Sequence, residues 1–474
     1  MKRKRTIAPL FLVVVIILIT GMAALAHADQ DATRLLTSKL FDVSFVHEIE
    51  VEIDEEDWQD LRENPLDKEK YEVSVTIDGE TFEHVSMSTK GNSSLTRVAS
   101  SESDRYSFKL NFSKYDKQQT YYGLDKMKLS NLYHDPCAMK DYISYRIITE
   151  AGGYAPLASY VWLKINGEDF GLYQAVEEIS KGWISRTQEN KGKLYKPDPA
   201  WMDSANKVPG LKISDDNVLE YFQTKKEYFG GTNEGADLVY SNDQIESYAG
   251  IFDNAETKTD EDDQARLIRC LKDLNSGENL EAVLDTEEVI GYFAGHNFTM
   301  NYDSYTGITT HNYFLYEEGG RLSAVAWDYN DGFGNIIAFM HPELTMTDFV
   351  NWGIDTPLVD AELSERPLWA WIVEDEDYLK KYHDTMGILI ENYFESGWFG
   401  QESAAVHDMI KPYIETDPTF FYTPEEAENA FQYLTEFCAR RAESIRKQLG
   451  GALSCDTAQQ EDAKKVDGSM IAVF

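Results

Sequence analysis

A polar stretch at residues 301–334 contains the side chains with the clearest chemical potential. Asp303 precedes Asn312 along the chain, Asp328 follows, and a short hydrophobic segment comes after each polar group. Carboxylate and amide oxygens are the ligands that Mg²⁺ and other hard cations prefer. The pattern therefore predicts a metal site, and a pair of turn-capping aspartates is the alternative explanation.

A glycine-containing loop and a lysine-bearing strand lie far upstream of these aspartates. In the strand, residues 106–112, large apolar side chains alternate with polar ones, so Lys109 points away from the apolar face. Backbone amides of such loops cradle phosphates, and a lysine can then neutralise the phosphate charge. A solvated lysine on an open face is the alternative. The loop residues are Lys90, Gly91, Asn92 and Ser93.

Acidic residues that could pair with Lys109 follow in the next predicted elements. Asp141 and Glu150 lie on a predicted helix that ends at a pair of glycines. Beyond it, Asn166 and Gly167 predict a hairpin turn, and Glu177 follows the second strand of that hairpin. Each carboxylate is either a partner of the lysine or a solvated surface charge.

The order of elements predicts an α+β fold with two lobes. A β-rich amino-terminal lobe (residues 45–180) precedes a hinge with an elaborated, loop-rich insertion (181–260), and a mainly helical lobe (261–450) follows. The last segment, 451–474, lacks periodicity and is predicted to be a loose tail. This order of lobes is typical of kinase-like phosphotransferases.

The composition excludes some classes of partner. The chain has 474 residues, ample hydrophobic content and a formal net charge of −39. Because phosphate contacts need surplus Lys and Arg, nonspecific binding to nucleic acid or to anionic lipid is excluded. A basic protein would be attracted, and a phosphate ligand would need divalent cations or a local basic cluster.

The amino terminus has the pattern of an export signal. A basic segment precedes an apolar run from Thr6 to Leu25, and Ala26 and Ala28 supply the small residues before a cleavage site. Residues 1–28 are therefore predicted to be a signal peptide, and an uncleaved anchor is the alternative because the run is nearly long enough to span a bilayer. The chain would then be exported, and would contact a membrane only through an uncleaved segment.

Histidine and cysteine give no further site. His296 and His311 lie near the aspartates but lack metal-ligand spacing, so both are interpreted as structural. The four cysteines are widely spaced and form no C-x-x-C pair, which favours unpaired, partly buried thiols. They are Cys137, Cys270, Cys438 and Cys455.

Several stretches together resemble the CotH family, spore coat protein H-like proteins with an atypical protein-kinase fold. The resemblance covers most of the chain from about Glu48 to Leu449, in family order. Three positions depart from the family pattern: Thr89, Asp141 (where the family often has glutamate) and Ala326. The stretches that carry the resemblance are residues 90–94, 105–112, 166–173, 194–197, 301–305, 311–313 and 327–330.

The resemblance implies ATP- and Mg²⁺-dependent phosphorylation of Ser or Thr hydroxyls on a surface or coat protein, with Mn²⁺ as a possible substitute. It implies that Asp303 is the catalytic aspartate and Asp328 the metal-binding aspartate, and we assign Asn312 to the metal and Lys109 to the nucleotide. The substrate is expected to be basic and rich in Ser and Thr. A nucleotidyl transferase, or a catalytically silent scaffold of the spore coat or cell surface, remains open.

Overall fold

The structure is a computed structural model that describes residues 32–188, 191–203, 206–212 and 217–471. The predicted signal peptide lies outside these ranges. Within them, no helix combines the length and the apolar character needed to cross a membrane.

The amino-terminal strands close into a seven-stranded barrel in the order β1-β2-β3-β4-β5-β7-β6. Neighbouring strands are antiparallel except at the closure, where β1 runs parallel to β6 and His47 lies opposite Val161. Apolar side chains alternate along the strands and fill the interior. The strands are β1 (His47–Glu52), β2 (Tyr71–Ile77), β3 (Glu80–Lys90), β4 (Ser107–Asn111), β5 (Lys126–Ser130), β6 (Ala158–Ile165) and β7 (Glu168–Glu177).

The predicted hairpin at Asn166 and Gly167 is present. Both residues have positive φ, 50° and 81°, which is the backbone conformation of a tight type I′ turn. The strand alternation around Lys109 is also confirmed, since Phe108 and Leu110 are buried in the barrel core. Local patterns thus predicted β4, β6 and β7, whereas β5 and the closure of the barrel were not predicted.

Outside the barrel, helices surround a small second sheet and a separate hydrophobic core. This sheet has the order β10-β9-β8, with strands β8 (Lys193–Tyr195), β9 (Tyr313–Glu318) and β10 (Arg321–Ala326). The combination confirms the mixed α+β class. The helices are α1 (32–38), α2 (Glu55–Glu63), α3 (Ser93–Ala99), α4 (Lys140–Glu150), α5 (Lys181–Thr187), α6 (Val218–Tyr228), α7 (Ala249–Phe252), α8 (Glu261–Ser276), α9 (Leu280–Val283), α10 (Thr286–Thr299), α11 (Asn335–Met340), α12 (Met346–Val350), α13 (Pro367–Glu374), α14 (Glu376–Leu389), α15 (Trp398–Thr416) and α16 (Pro424–Leu449).

Two segments differ from the sequence-based prediction. The segment 181–260 is more ordered than a loop-rich insertion, because β8 pairs with β9 and α5, α6 and α7 also lie in it. The segment 451–471 is not loose: Leu453 and Val466 are buried, and Val466 exchanges two backbone hydrogen bonds with the Asn351 side chain. Its apolar residues are too widely spaced to produce a periodic pattern.

The outer face of β7 and β6 contacts the helical core. Val176, Leu172 and Tyr160 belong to that core, whereas Tyr173 and Ala175 point into the barrel. Because successive side chains of a strand point to opposite faces, one strand contributes to both cores. Polar side chains on this same outer face form the candidate site.

Candidate functional site

Three lysines lie together on the outer face of the barrel because of the strand register. Lys109 on β4 is directly opposite Lys128 on β5. Lys109 is also opposite Ser88 on β3, and Lys90 lies two residues beyond Ser88 on the same face. The register therefore places three cationic side chains next to each other on a chain that is otherwise strongly acidic.

Glu178 is the carboxylate that faces the first two of these lysines. It forms an ion pair with Lys90, and its other oxygen lies 3.2 Å from Lys109 Nζ. Glu177, the residue proposed from sequence, instead accepts two hydrogen bonds from Arg186. Consecutive residues point to opposite sides, so only one of the two glutamates can reach the lysine face.

Lys128 joins the helical region to the barrel. Its Nζ lies 2.8 Å from Asp328 Oδ1 and 3.9 Å from Asp141 Oδ2 on α4. Asp141, one of the candidate partners of Lys109 in the sequence, therefore pairs with Lys128 instead. The lysine that reaches the α4 carboxylate is on the strand immediately before that helix.

Hydrogen bonds hold the carboxylate of Asp141 and the backbone of Asp328 in place. Asp141 Oδ1 accepts the backbone N–H of Tyr329 at 2.6 Å, and the Asp328 N–H donates to Tyr145 Oη at 3.1 Å. Asp328 itself has a φ of +59°, a left-handed conformation that aspartate tolerates better than most residues and that occurs often at functional sites.

Burial and neighbouring charges shift the pKa values of Asp141 and Asp328 in opposite directions. Burial raises the pKa of Asp141, and the neighbouring charge of Asp328 raises it further against the opposing attraction of Lys128. Burial would also raise the pKa of Asp328, but the closer Lys128 lowers it below its usual value. At neutral pH, Asp328 is therefore the carboxylate held in the ionised form that a cation requires.

The remaining lysines repel each other. Burial lowers the pKa of Lys90, and the charges of Lys109, Lys128 and Lys196 lower it further. Burial and nearby lysines likewise lower the pKa of Lys109 to about 8. Among the described residues, Lys196 has no salt bridge. A bound polyphosphate would relieve this repulsion, so the residues present fit a nucleotide.

Asp303 is held by two side chains from the segment just before β9. Asn312 Nδ2 donates to Asp303 Oδ2 at 3.0 Å, and His311 Nε2 lies 2.9 Å from Asp303 Oδ1. Burial would lower the pKa of His311, but Asp303 and Asp198 together raise it to about 10. Asp303 is thus oriented by an amide and a protonated imidazole.

An amide oxygen beside Asp328 has no hydrogen-bond partner. Asn301 is buried, its Nδ2 donates to the Asp328 carbonyl oxygen at 3.2 Å, and its Oδ1 is left unpaired among the described residues. Buried unpaired oxygens call for an explanation such as a bound ion. The Asn301 amide oxygen and the Asp328 carboxylate are donors of the type that Mg²⁺ or Mn²⁺ prefers, whereas Asn312 contacts Asp303.

The glycine loop at residues 90–93 leads into α3 before β4 begins. Gly91 has a φ of +116°, and a Cβ there would lie 2.9 Å from Ser94 Oγ, so the turn requires glycine. Asn92 accepts a hydrogen bond from Lys68, and Ser93 is exposed. Of these loop residues, Lys90 reaches the cluster, with Nζ 4.5 Å from the ring centre of Trp327.

Sequence reasoning missed Lys128, Glu178, Asn301 and the contact of His311 with Asp303. Lys128 has the same alternating pattern as Lys109, because Met127 and Leu129 flank it and point into the barrel. That alternation was a usable signal. His296, in contrast, is structural as predicted, since burial lowers its pKa to about 3 and its ring bonds Tyr329 and Thr306.

The fold and site define an α+β protein with a cluster of lysines and carboxylates on the outer face of a barrel. The family described as CotH kinase protein matches residues 87–445. The chain belongs to this family, which confirms the resemblance seen in the sequence. It is 23% identical over 336 residues to the inner spore coat protein H of Bacillus subtilis (strain 168), covering 70% of this chain and 80% of that protein.

Proposed function

We propose that this chain is an atypical kinase that transfers the γ-phosphate of ATP to Ser or Thr hydroxyls of a protein. The observation that carries the proposal is the position of Lys128 between Asp141 of α4 and Asp328. In protein kinases, a strand lysine pairs with a helix carboxylate while a separate aspartate binds the metal ion. The barrel and the helical region would be the two lobes of a kinase-like fold.

The lysines would bind the nucleotide phosphates. Lys90 and Lys109 share one carboxylate, Glu178, so their combined charge exceeds that of their partner. Asp328 and the unpaired oxygen of Asn301 would hold Mg²⁺ or Mn²⁺. That ion would supply charge neutralisation of the phosphates.

Asp303 would orient the attacking hydroxyl. The hydroxyl oxygen forms a bond to the γ-phosphorus, the bond to the ADP oxygen breaks, and the hydroxyl proton passes to Asp303. The hydrogen bonds from Asn312 and His311 hold the two Asp303 oxygens and would fix the direction from which the hydroxyl approaches.

The substrate and location follow from charge and from the relative. A net charge of −39 favours a basic, Ser/Thr-rich protein. The similarity to an inner spore coat protein favours a location in a spore coat, and the predicted signal peptide favours export to the coat or cell surface. Because ATP is scarce outside cells, a silent scaffold is the competing proposal, and a nucleotidyl transferase on the same site is another.

Labelled ATP distinguishes these proposals. The purified chain, residues 29–474, is incubated with Mg²⁺ or Mn²⁺, a basic Ser-rich protein, and ATP labelled on either the γ- or the α-phosphate. Transfer of the γ-label alone supports the kinase, and transfer of the α-label overturns it in favour of nucleotidyl transfer. Nucleotide binding without any transfer favours the scaffold.

Two variants test the metal assignment. Asp328→Asn should lower transfer by about 10²-fold or more, because an amide replaces the charged ligand. Asp243→Asn, at an exposed position whose carboxylate bonds Tyr240, should leave transfer unchanged. Equal labelling by wild type and Asp328→Asn would contradict the role of Asp328.

A further inference from the structure

A second group of metal-ligating side chains lies where the carboxyl-terminal segment meets the helical core. It consists of Asp355, His383 on α14, and Cys455, each partly exposed. One oxygen, one nitrogen and one sulfur atom of the three residues lie within 4.8 Å of one another. His383 Nε2 and Asp355 Oδ1 are 2.6 Å apart. The proposed kinase function uses none of these residues.

The backbone fixes two of the three residues relative to each other. The Asp355 N–H donates to the Cys455 carbonyl oxygen at 3.0 Å. The Gly353 N–H donates to Thr457 Oγ1 at 2.8 Å, and the Thr457 N–H donates to Thr356 Oγ1 at 3.0 Å. The two segments therefore form a rigid frame before any ligand binds.

Gly353 permits this close approach. A Cβ at this position would lie 2.3 Å from the Cys455 carbonyl oxygen and 2.5 Å from the Thr457 nitrogen. Any side chain would push the carboxyl-terminal segment away. The sequence thus keeps a residue without a side chain at the one place where Cys455 is brought to Asp355.

The combination of donor atoms selects a class of metal ion. Thiolate, imidazole and carboxylate together suit Zn²⁺, whereas Mg²⁺ and Ca²⁺ prefer oxygen ligands alone. A Cys-His-Asp nucleophile is a poor alternative, because burial and the charge of Asp355 raise the pKa of Cys455 to about 12. A thiol with so high a pKa is a weak nucleophile near neutral pH, but a metal ion can displace its proton.

We propose that Asp355, His383 and Cys455 bind Zn²⁺ and that the bound ion fixes the segment 451–471 to the helical core. The ligands come from a loop, a helix and the carboxyl-terminal segment, so one ion links three parts of the chain. Three protein ligands leave a fourth position for water. Binding replaces the thiol proton, which passes to solvent, so the affinity should rise with pH.

The three ligand atoms can reach the separations of a tetrahedral zinc site after small movements of their side chains. Zinc–ligand bonds of about 2.0–2.3 Å in a tetrahedron place the ligand atoms about 3.3–3.6 Å apart. The His383–Asp355 contact of 2.6 Å must therefore lengthen and the longest separation in the group, at most 4.8 Å, must shorten. Both changes are about 1 Å, which partly exposed side chains can make by rotation.

Co²⁺ provides a spectroscopic test, because a sulfur-to-cobalt band appears only if a cysteine binds the ion. Tag-free, metal-stripped chain is titrated with Co²⁺ and then with Zn²⁺. We expect one equivalent of Co²⁺ with a sulfur-to-cobalt charge-transfer band in the near ultraviolet, displaced by Zn²⁺. Cys455→Ser should abolish the band, and His383→Gln should weaken binding at least tenfold.

A matched control separates this site from ordinary histidine–carboxylate pairs. His341 and Asp360 are also close, at 2.9 Å, but in the part of the chain that the structure describes they belong to no group of three metal-ligating side chains. His341→Gln should therefore keep the charge-transfer band. Asp328→Asn should also keep it, because the proposed kinase site is separate. Binding of equal strength and spectrum in Cys455→Ser would overturn the proposal, as would no binding by a folded wild-type chain.

Protection of the thiol provides a second readout. Cys455 is partly exposed, whereas Cys137, Cys270 and Cys438 are buried. Zn²⁺ should slow alkylation of Cys455 by iodoacetamide at least tenfold, and Mg²⁺ should not. Unchanged alkylation at saturating Zn²⁺ would contradict a zinc–sulfur bond.

Discussion

Two groups of charged side chains lie on the barrel, and they differ in burial and in hydrogen bonding. Arg105 donates to the carbonyl oxygen of Asn131, to both oxygens of Asp417 and to Thr419. Asp417 also accepts the backbone N–H of Leu172 at 2.7 Å. In this group, one guanidinium nitrogen contacts both carboxylate oxygens, further partners surround the ion pair, and both side chains are fully buried.

The lysine cluster lacks such complete pairing. Lys90 and Lys109 share Glu178, and Lys128 is shared between Asp328 and Asp141. A fully paired group contributes to folding, whereas a group with surplus positive charge is ready to receive an anion. The two groups also differ in exposure, because the side chains of Lys90 and Lys109 are 24% and 30% exposed whereas those of Arg105 and Asp417 are fully buried. Incomplete pairing together with partial exposure therefore distinguishes the binding group from the structural one.

The largest expected effect comes from breaking the complete pair. Asp417→Asn leaves Arg105 buried without its counter-charge, so the free energy of unfolding should fall by about 3–5 kcal/mol in urea denaturation. The control is Glu395→Gln, which breaks an exposed bidentate pair with Arg446 and should cost no more than about 1 kcal/mol. Equal losses would contradict the structural role of Asp417.

The next largest effect is expected in the lysine cluster, whose charges are incompletely paired. Lys128→Met should lower phosphate transfer by about 10²-fold, since the α4 carboxylate and Asp328 lose their shared cation. Lys164→Met is the control, because Lys164 lies on β6 and pairs with Glu48 at 2.7 Å away from the cluster. Transfer assays on both variants, with urea denaturation beside them, measure the difference. Full activity of Lys128→Met would remove this lysine from the site.

The strand lysines show which features of the site could be predicted from the sequence and which could not. Alternation correctly turned Lys109 away from the barrel core, and the same alternation applies to Lys126 and Lys128. Which of these lysines meets Asp141 depends on how α4 packs against the barrel, and no local pattern records that. The family resemblance located Asp303 and Asp328 in the sequence, but not their hydrogen-bond partners.

Long-range pairing limited the prediction of the fold in the same way. The hairpin at Asn166 and Gly167 is encoded by its own turn residues. Barrel closure instead requires β1 to pair with β6, and these strands are distant in sequence. The packed segment 451–471 likewise depends on its hydrogen bonds to the Asn351 side chain, a partner far away along the chain.

Protonation of His311, whose imidazole contacts Asp303, should make the stability of the fold depend on pH. Because its pKa is raised from 6.5 to about 10 in the folded chain, its stabilising effect is complete below pH 6.5 and is lost as the pH rises through about 10. His311→Gln should therefore cost about 1.5–3 kcal/mol at pH 6 and progressively less by pH 10. Urea denaturation of both chains at several pH values checks this. A difference independent of pH would show that His311 is uncharged.

The smallest effect tests whether Lys109 meets an anion. In the free chain its pKa is lowered to about 8, so above that pH the lysine is largely neutral. A bound polyphosphate would favour the charged form, so ATP binding at pH 8.5 should take up a fraction of a proton. Calorimetry in buffers of different ionisation enthalpy measures this uptake. Lys109→Gln should take up fewer protons than the wild type and bind ATP about tenfold more weakly, a loss of about 1.4 kcal/mol. ATP binding with no proton uptake by the wild type would place the phosphates away from Lys109, and the surplus charge of the cluster would then need another explanation.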